Sequence, residues 1–107
     1  MLEVRHYLDR SGRNPFLDWL RDLRDPIGKV AIIRRLNRLE QGNFGDVKVL
    51  QRGVCELRVD TGPGYRIYFA KSGNHVVLLL CAGAKRSQEH DIERAMAYWL
   101  DWASRHN

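Results

Sequence analysis

Cysteine is scarce in this 107-residue chain: only Cys55 and Cys81 occur. Neither sits in a CxxC pair or at a ligand spacing from a histidine, so no zinc site and no disulfide framework is expected. Both fall among apolar residues and read as small buried thiols of a reducing compartment. Long apolar runs are also missing. Nothing approaches the roughly 20 residues that a membrane span needs, and Leu2 to Leu8 carries Glu3, Arg5 and His6, which no signal peptide would. The expected location is therefore cytoplasmic, with no membrane partner. There is no internal repeat, low-complexity tract or linker, and 1–107 is expected to be a single domain. Acidic residues are in deficit, 13 against 18 Lys and Arg, leaving a formal charge of +5. Such an excess fits a polyanionic partner, but a merely basic soluble surface fits it equally well.

Proline is limited to three positions, and each marks a start or a turn. Asn14-Pro15 and Asp25-Pro26 each pair a side chain that caps free N–H groups with a residue suited to the first helical position. The first start predicts a short helix burying Phe16, Leu17, Trp19, Leu20 and Leu23. The second predicts a helix from about Pro26 to Gln41, stopped by Gly42. Ile32, Ile33, Leu36 and Leu39 form its apolar stripe, with Arg34, Arg35 and Arg38 towards the opposite, solvated side. Joined so closely, the two make a helical hairpin able to cover one face of a sheet. Ahead of them Leu2 to Leu8 alternates as a first strand, in which His6 has a structural role. Asn43 to Arg52 reads as a basic loop. At the other end, Ile92, Ala95, Met96, Trp99, Trp102 and Ala103 recur at the spacing of one buried helix face. That helix should run to about Arg105, with Ser87 as its cap and Glu89 and Asp91 in its first turn.

Between these helices, Val54 to Gln88 carries the organising pattern. Val54 to Asp60 alternates, with Cys55, Leu57 and Val59 on one face and Glu56, Arg58 and Asp60 on the other. Thr61-Gly62-Pro63-Gly64 is turn chemistry. Tyr65 to Lys71 alternates again, placing Arg66 and Tyr68 opposite Tyr65, Ile67 and Phe69. After Ser72-Gly73-Asn74, His75 to Ala82 is a nearly continuous apolar run, as expected of a central strand covered on both faces. The order is β-α-α-β-β-β-α, an α+β fold with a small antiparallel sheet. If the last three strands form a meander, Arg58, Arg66 and Lys85 converge on one rim.

The runs Glu56–Phe69, Leu78–Gln88 and Asp91–Ala95, together with the opening NPFLDWL, resemble the addiction-module killer proteins. These are HigB-like toxins of the RelE/ParE superfamily, found in bacterial type II toxin–antitoxin modules and in related phage-derived proteins. The resemblance implies a small antiparallel sheet with a helical hairpin and a C-terminal helix. It implies translation inhibition by metal-independent cleavage of mRNA, usually in the ribosomal A site. It also implies a cognate antitoxin, a HigA-like helix-turn-helix protein, with DNA bound only through the toxin–antitoxin complex. Carried over by position, Arg58 matches a basic strand position near the RNA, and Arg66 of the GYR motif matches the arginine at the scissile phosphate. Lys85 matches a basic residue after the last strand. His90 lies where some relatives place a catalytic tyrosine or histidine.

RNA supplies its own nucleophile, the 2′-hydroxyl, so a protein must remove that proton, stabilise negative charge at phosphorus and protonate the leaving 5′-oxygen. Arg66 suits the second task, because guanidinium is always charged and grips phosphate oxygens in pairs. Arg58 and Lys85 add positive potential, and Lys85 is a base only if burial and neighbouring charge lower its pKa. His90 is the candidate for proton transfer, since imidazole titrates near neutrality; the alternative is an exposed first-turn histidine. Tyr68 either contacts phosphate or a base, or packs under a helix. Arg86 is a candidate backbone contact. No cofactor is expected. Two other readings share the architecture: a ParE-like gyrase-inhibiting toxin, and a non-catalytic interaction module of phage origin. The grouping of Arg58, Arg66 and Lys85 favours RNA.

Overall fold

The computed structural model describes residues 2–106. Strand β1 (Glu3–His6) leads into helices α1 (Pro15–Asp22) and α2 (Pro26–Glu40). Strands β2 (Val47–Val49), β3 (Val54–Val59), β4 (Tyr65–Ser72) and β5 (Val76–Ala84) follow. A 3₁₀ turn (Lys85–Ser87) then opens α3 (Gln88–Arg105). Both early helices start on the expected caps: Asn14 Oδ1 accepts from Leu17 N and Asp25 Oδ1 from Gly28 N, each at 3.0 Å.

The five strands lie in the order β1-β5-β4-β3-β2. The β3–β4–β5 core is an antiparallel meander and β5 is central, as expected. Two features differ from the expected small antiparallel sheet. β1 runs parallel to β5, with Val4 opposite Val77, so the sheet is mixed. Within the expected loop, Val47–Val49 pairs with β3 as a three-residue edge strand, too short and too exposed to show a pattern.

The sheet is covered on both faces, by chemistry that follows from the strand period of two. Leu57, Val59, Tyr65, Ile67, Phe69, Val77 and Leu79 pack with Phe16, Ile32 and Leu39 of the hairpin. Val54, Tyr68, Ala70, Leu78, Leu80 and Cys81 face Ala95, Ile92, Met96, Trp99 and Trp102 of α3. Leu80 and Cys81 share one face although adjacent, because the ladder shifts register between Tyr68 and Phe69; the extra residue bends the strand there. The tryptophans are thus packed side chains. His6 is too: its ring meets Phe16 edge-on, and its Nδ1 lies 2.9 Å from Asn14 Nδ2. Burial pushes the Cys81 thiol up to about 12, as suits an inert core cysteine.

Four side chains sit elsewhere than expected. Arg35 is buried and donates from one Nη to the carbonyls of Phe44 (3.1 Å) and Arg58 (3.3 Å), so it clamps the β2 approach to β3. Leu17 and Ile33 are instead exposed, and Ile27 and Val30 join Ile33 on the outer face of α2. Ser87 makes no cap bond. Its hydroxyl donates to the buried Asp91 carboxylate at 2.5 Å, against Gly83, where a Cβ would lie only 1.9 Å from Asp91 Oδ2. Among the described residues, no helix is long and apolar enough to cross a membrane.

Candidate functional site

The polar part of the α3-covered face lies where the sheet runs out past the first turn of that helix. β3 and β4 place Arg58 directly opposite Arg66, and Glu56 opposite Tyr68. Like charges on facing positions repel. Here the repulsion is offset by Glu56, whose side chain is wholly buried: its Oε1 lies 3.1 Å from Arg58 Nε and 3.3 Å from Arg66 Nε. Its Oε2 accepts from Gln88 Nε2 at 2.8 Å, tying the carboxylate to the start of α3. The Arg66 approach is close but poorly aligned for a hydrogen bond, and Arg66 Nε has no hydrogen-bond partner among the described residues.

Lys85 reaches this group through the turn. Its backbone N–H donates to Gly64 O at 2.9 Å. Gly64 (φ +83°) sits between the two cations, since a Cβ there would lie 3.8 Å from Arg66 Nη1 and 3.9 Å from Lys85 Cβ. Lys85 and Arg86 are exposed and make no ion pair among the described residues. Together with Ser87, Gln88, Glu89 and His90 they line an open cleft of about 480 Å³. On their other side lies a cleft of about 730 Å³ with Leu23, Pro63, Tyr65 and Ala84 in its walls.

Of the residues singled out from the sequence, Arg66 and Lys85 meet at the Gly64 turn, Arg58 faces Arg66 from β3, and His90 and Arg86 share the neighbouring cleft with Lys85. Tyr68 stands apart. It is fully buried under α3, its hydroxyl without a partner among the described residues, and burial followed by the Glu56 charge raises its pKa. As placed, its ring offers no face to a base. Glu56 and Gln88 are the functional candidates missed on sequence. The available signal was Glu56 two residues from Arg58 on one face of the strand, since burying a carboxylate is costly unless it is paired.

The model of a family described as "Phage derived protein Gp49-like (DUF891)" matches residues 18–98. The chain belongs to this family. The Gp49-like family is a RelE/HigB-like toxin family, associated with the toxins of toxin–antitoxin modules. An uncharacterized protein of Haemophilus influenzae (strain Rd) is 44% identical to this chain over 80 residues, 75% of this chain and 81% of that protein. The Gp49-like span takes in every residue of the site, from Glu56 to His90. It also takes in the Gly83–Ser87–Asp91 contact that seats α3 beside the site. Among the described residues, no group of three or more His, Cys, Asp and Glu is placed to hold a metal ion.

Proposed function

We propose that this Gp49-like chain is the toxin of a type II toxin–antitoxin module: a HigB-like, metal-independent endoribonuclease that cuts ribosome-bound mRNA and is neutralised by a HigA-like antitoxin. The observation that carries the reading is that Arg66 and Lys85 meet at Gly64, with Arg58 opposite Arg66 on the neighbouring strand and an open cleft running from Lys85 to His90. Cations on that scale match a phosphodiester and its flanking phosphates.

The chemistry runs without a protein nucleophile. The 2′-oxygen attacks phosphorus in line, its proton passes to a base, and the 5′-oxygen leaves with a proton, giving a 2′,3′-cyclic phosphate and a 5′-hydroxyl. Arg66 is assigned to the phosphoryl oxygens, because its side chain is largely buried and held on a strand while Nη1 faces the turn. Lys85 adds charge from the opposite side of Gly64 and orients the backbone. His90 is assigned to proton transfer and Arg86 to a flanking phosphate, both on grounds of exposure in the shared cleft. Tyr68 is assigned to the core. The test uses purified Arg66→Ala and Lys85→Ala proteins with wild-type melting temperatures in a reconstituted translation reaction. Both are expected to lose cleavage by 100-fold or more, of the order found when one transition-state donor is removed. Wild-type rates from both would remove the site.

A further inference from the structure

Resting on that reading of the site, we infer that Glu56 is a positioning residue, a buried anchor that sets the direction of both strand arginines. A carboxylate with no exposed surface is an unusual element of a site meant for phosphate, since it repels the ligand and is costly to bury. Its contacts explain why it is tolerated. One oxygen, Oε1, faces the Nε of Arg58 and of Arg66, and neither arginine presents its terminal nitrogens to Glu56 in a paired fork. Arg58 is held by a hydrogen bond at Nε and Arg66 by the charge 3.3 Å from its Nε, so neither needs its terminal nitrogens for the anchor. Arg66 Nη1 points to the Gly64 turn, and Arg58 Nη1 has only a 3.9 Å approach to the exposed Asp46. These ends are the donors that grip phosphate oxygens.

The second oxygen carries a further consequence. Oε2 takes the side-chain amide of Gln88, the first residue of α3, which also lines the cleft with Lys85, Arg86 and His90. Glu56 therefore joins the strand half of the site to its helix half. Without it, two like charges on facing positions turn apart, and the helix start loses its reference to the sheet. The anchor touches no substrate. It acts through Arg58, Arg66 and Gln88.

The test compares wild type with Glu56→Gln, which keeps shape and an acceptor but not the charge. Three quantities are read: affinity for a 2′-O-methyl RNA, which lacks the nucleophile; single-turnover cleavage of ribosome-bound mRNA; and the NMR signals of the arginine Nε–H groups. The expected result is RNA binding equal to or tighter than wild type, because a negative charge has gone, with cleavage at least 10-fold slower. Loss of order that is only structural would weaken both together. The Nε–H signal of Arg58, which is hydrogen-bonded to Glu56, should be protected from exchange in wild type and lose protection in the variant; that of Arg66 should shift as the neighbouring charge is removed, with Arg86 unchanged. Cleavage at the wild-type rate, or unaltered Arg58 and Arg66 signals, overturns the anchor. Should Glu56→Gln fail to fold, Gln88→Ala decides: cleavage slowed several-fold with retained RNA affinity supports it, and an unchanged rate overturns it. Wild-type protein that leaves mRNA uncut defeats the nuclease reading alone, and the NMR comparison still judges the anchor.

Discussion

Arg58 and Arg66 are Cα partners across β3 and β4, two cations on facing positions with the Oε1 atom of one buried glutamate between their Nε atoms. Such an arrangement does little for stability, because desolvating the carboxylate cancels much of what the pairing returns. Its value lies in direction. Among the described residues it leaves guanidinium ends without a paired fork on that strand pair, and the 3₁₀ turn after β5 brings Lys85 to Gly64 beside Arg66.

Arg86 is exposed and unpaired among the described residues, so its loss should act on RNA binding alone. Arg86→Ala is expected to leave thermal unfolding unchanged. The slope of log affinity against log salt for single-stranded RNA should fall by about 0.7, the value for one phosphate contact. Titrations at several salt concentrations read this directly, and an unchanged slope removes Arg86 from the interface.

Tyr68→Phe separates a core role from an RNA contact. Its hydroxyl is buried without a partner among the described residues, so removing it should be neutral or stabilise by up to about 1 kcal/mol. Cleavage and RNA affinity should not change. A fall in either, in a folded protein, would restore Tyr68 to the interface.

Gly83→Ala should be among the most damaging single changes outside the site. The added methyl would stand 1.9 Å from Asp91 Oδ2 and 2.8 Å from Ser87 Oγ, where α3 is seated. Overpacking of that kind costs about 3 kcal/mol or more. Denaturant unfolding of Gly83→Ala, Asp91→Ala and the double variant checks it. The double variant should lose less than the sum of the two, because the clash needs both groups.

Arg35 supplies the buried clamp that ties α2 to the loop before β2 and to β3. Arg35→Met keeps the stem and removes the donors, leaving the carbonyls of Phe44 and Arg58 without them. A loss of about 3 kcal/mol is expected from two charge-assisted hydrogen bonds. Gly45 (φ +64°) passes close to the guanidinium, since a Cβ there would lie 2.5 Å from Arg35 Nη1, and Gly45→Ala should also destabilise.

Two tyrosine–aspartate pairs contribute to the pH limits of stability. The Tyr65 hydroxyl, with the Gly28 N–H, holds Asp25 below the usual carboxylate range, and the Tyr7 hydroxyl does the same for Asp101. A lowered folded pKa contributes stability that is present above the unfolded value, about 3.9, and is lost as pH falls through the folded one. The tyrosines move the other way: burial, then the carboxylate, pushes Tyr65 and Tyr7 up to about 12. Their contribution is complete below about 10, the unfolded value, and lost as pH rises towards 12. Melting temperature should therefore be flat between about pH 5 and 8 and fall on both sides, the alkaline limb being shared with the buried Cys81 thiol, whose unfolded form titrates from about 8.5. Tyr65→Phe should soften both limbs, and limbs identical to wild type would contradict the assignment.

The fold was legible wherever chemistry is local. Asn14-Pro15 and Asp25-Pro26 cap their own helices, and Gly62-Pro63-Gly64 and Gly73 turn their own strands, so the meander and the hairpin could be read in place. What escaped depends on partners distant in the chain. Nothing in Leu2 to Leu8 says that it pairs parallel with β5, and Val47–Val49 is a strand only because β3 lies beside it. Arg35 and Ile33 exchanged their expected sides because α2 presents its polar clamp to the Phe44 and Arg58 carbonyls, a need invisible in the helix itself. The site divides the same way. That Arg66 and Lys85 come close together at one turn could be expected from the strand and turn pattern, whereas the burial of Glu56 and its reach to Gln88 follow from seating α3 across the sheet.

The measurement that bears most directly on the central proposal is inducible expression with and without a candidate antitoxin, followed by mapping of RNA 5′ ends in the arrested cells. The proposal expects growth arrest with new 5′-hydroxyl ends inside translated messages. Those cuts should be absent from untranslated RNA and from Arg66→Ala cells, and the antitoxin should abolish them. Arrest with intact messages, or cuts that persist in Arg66→Ala, would contradict it.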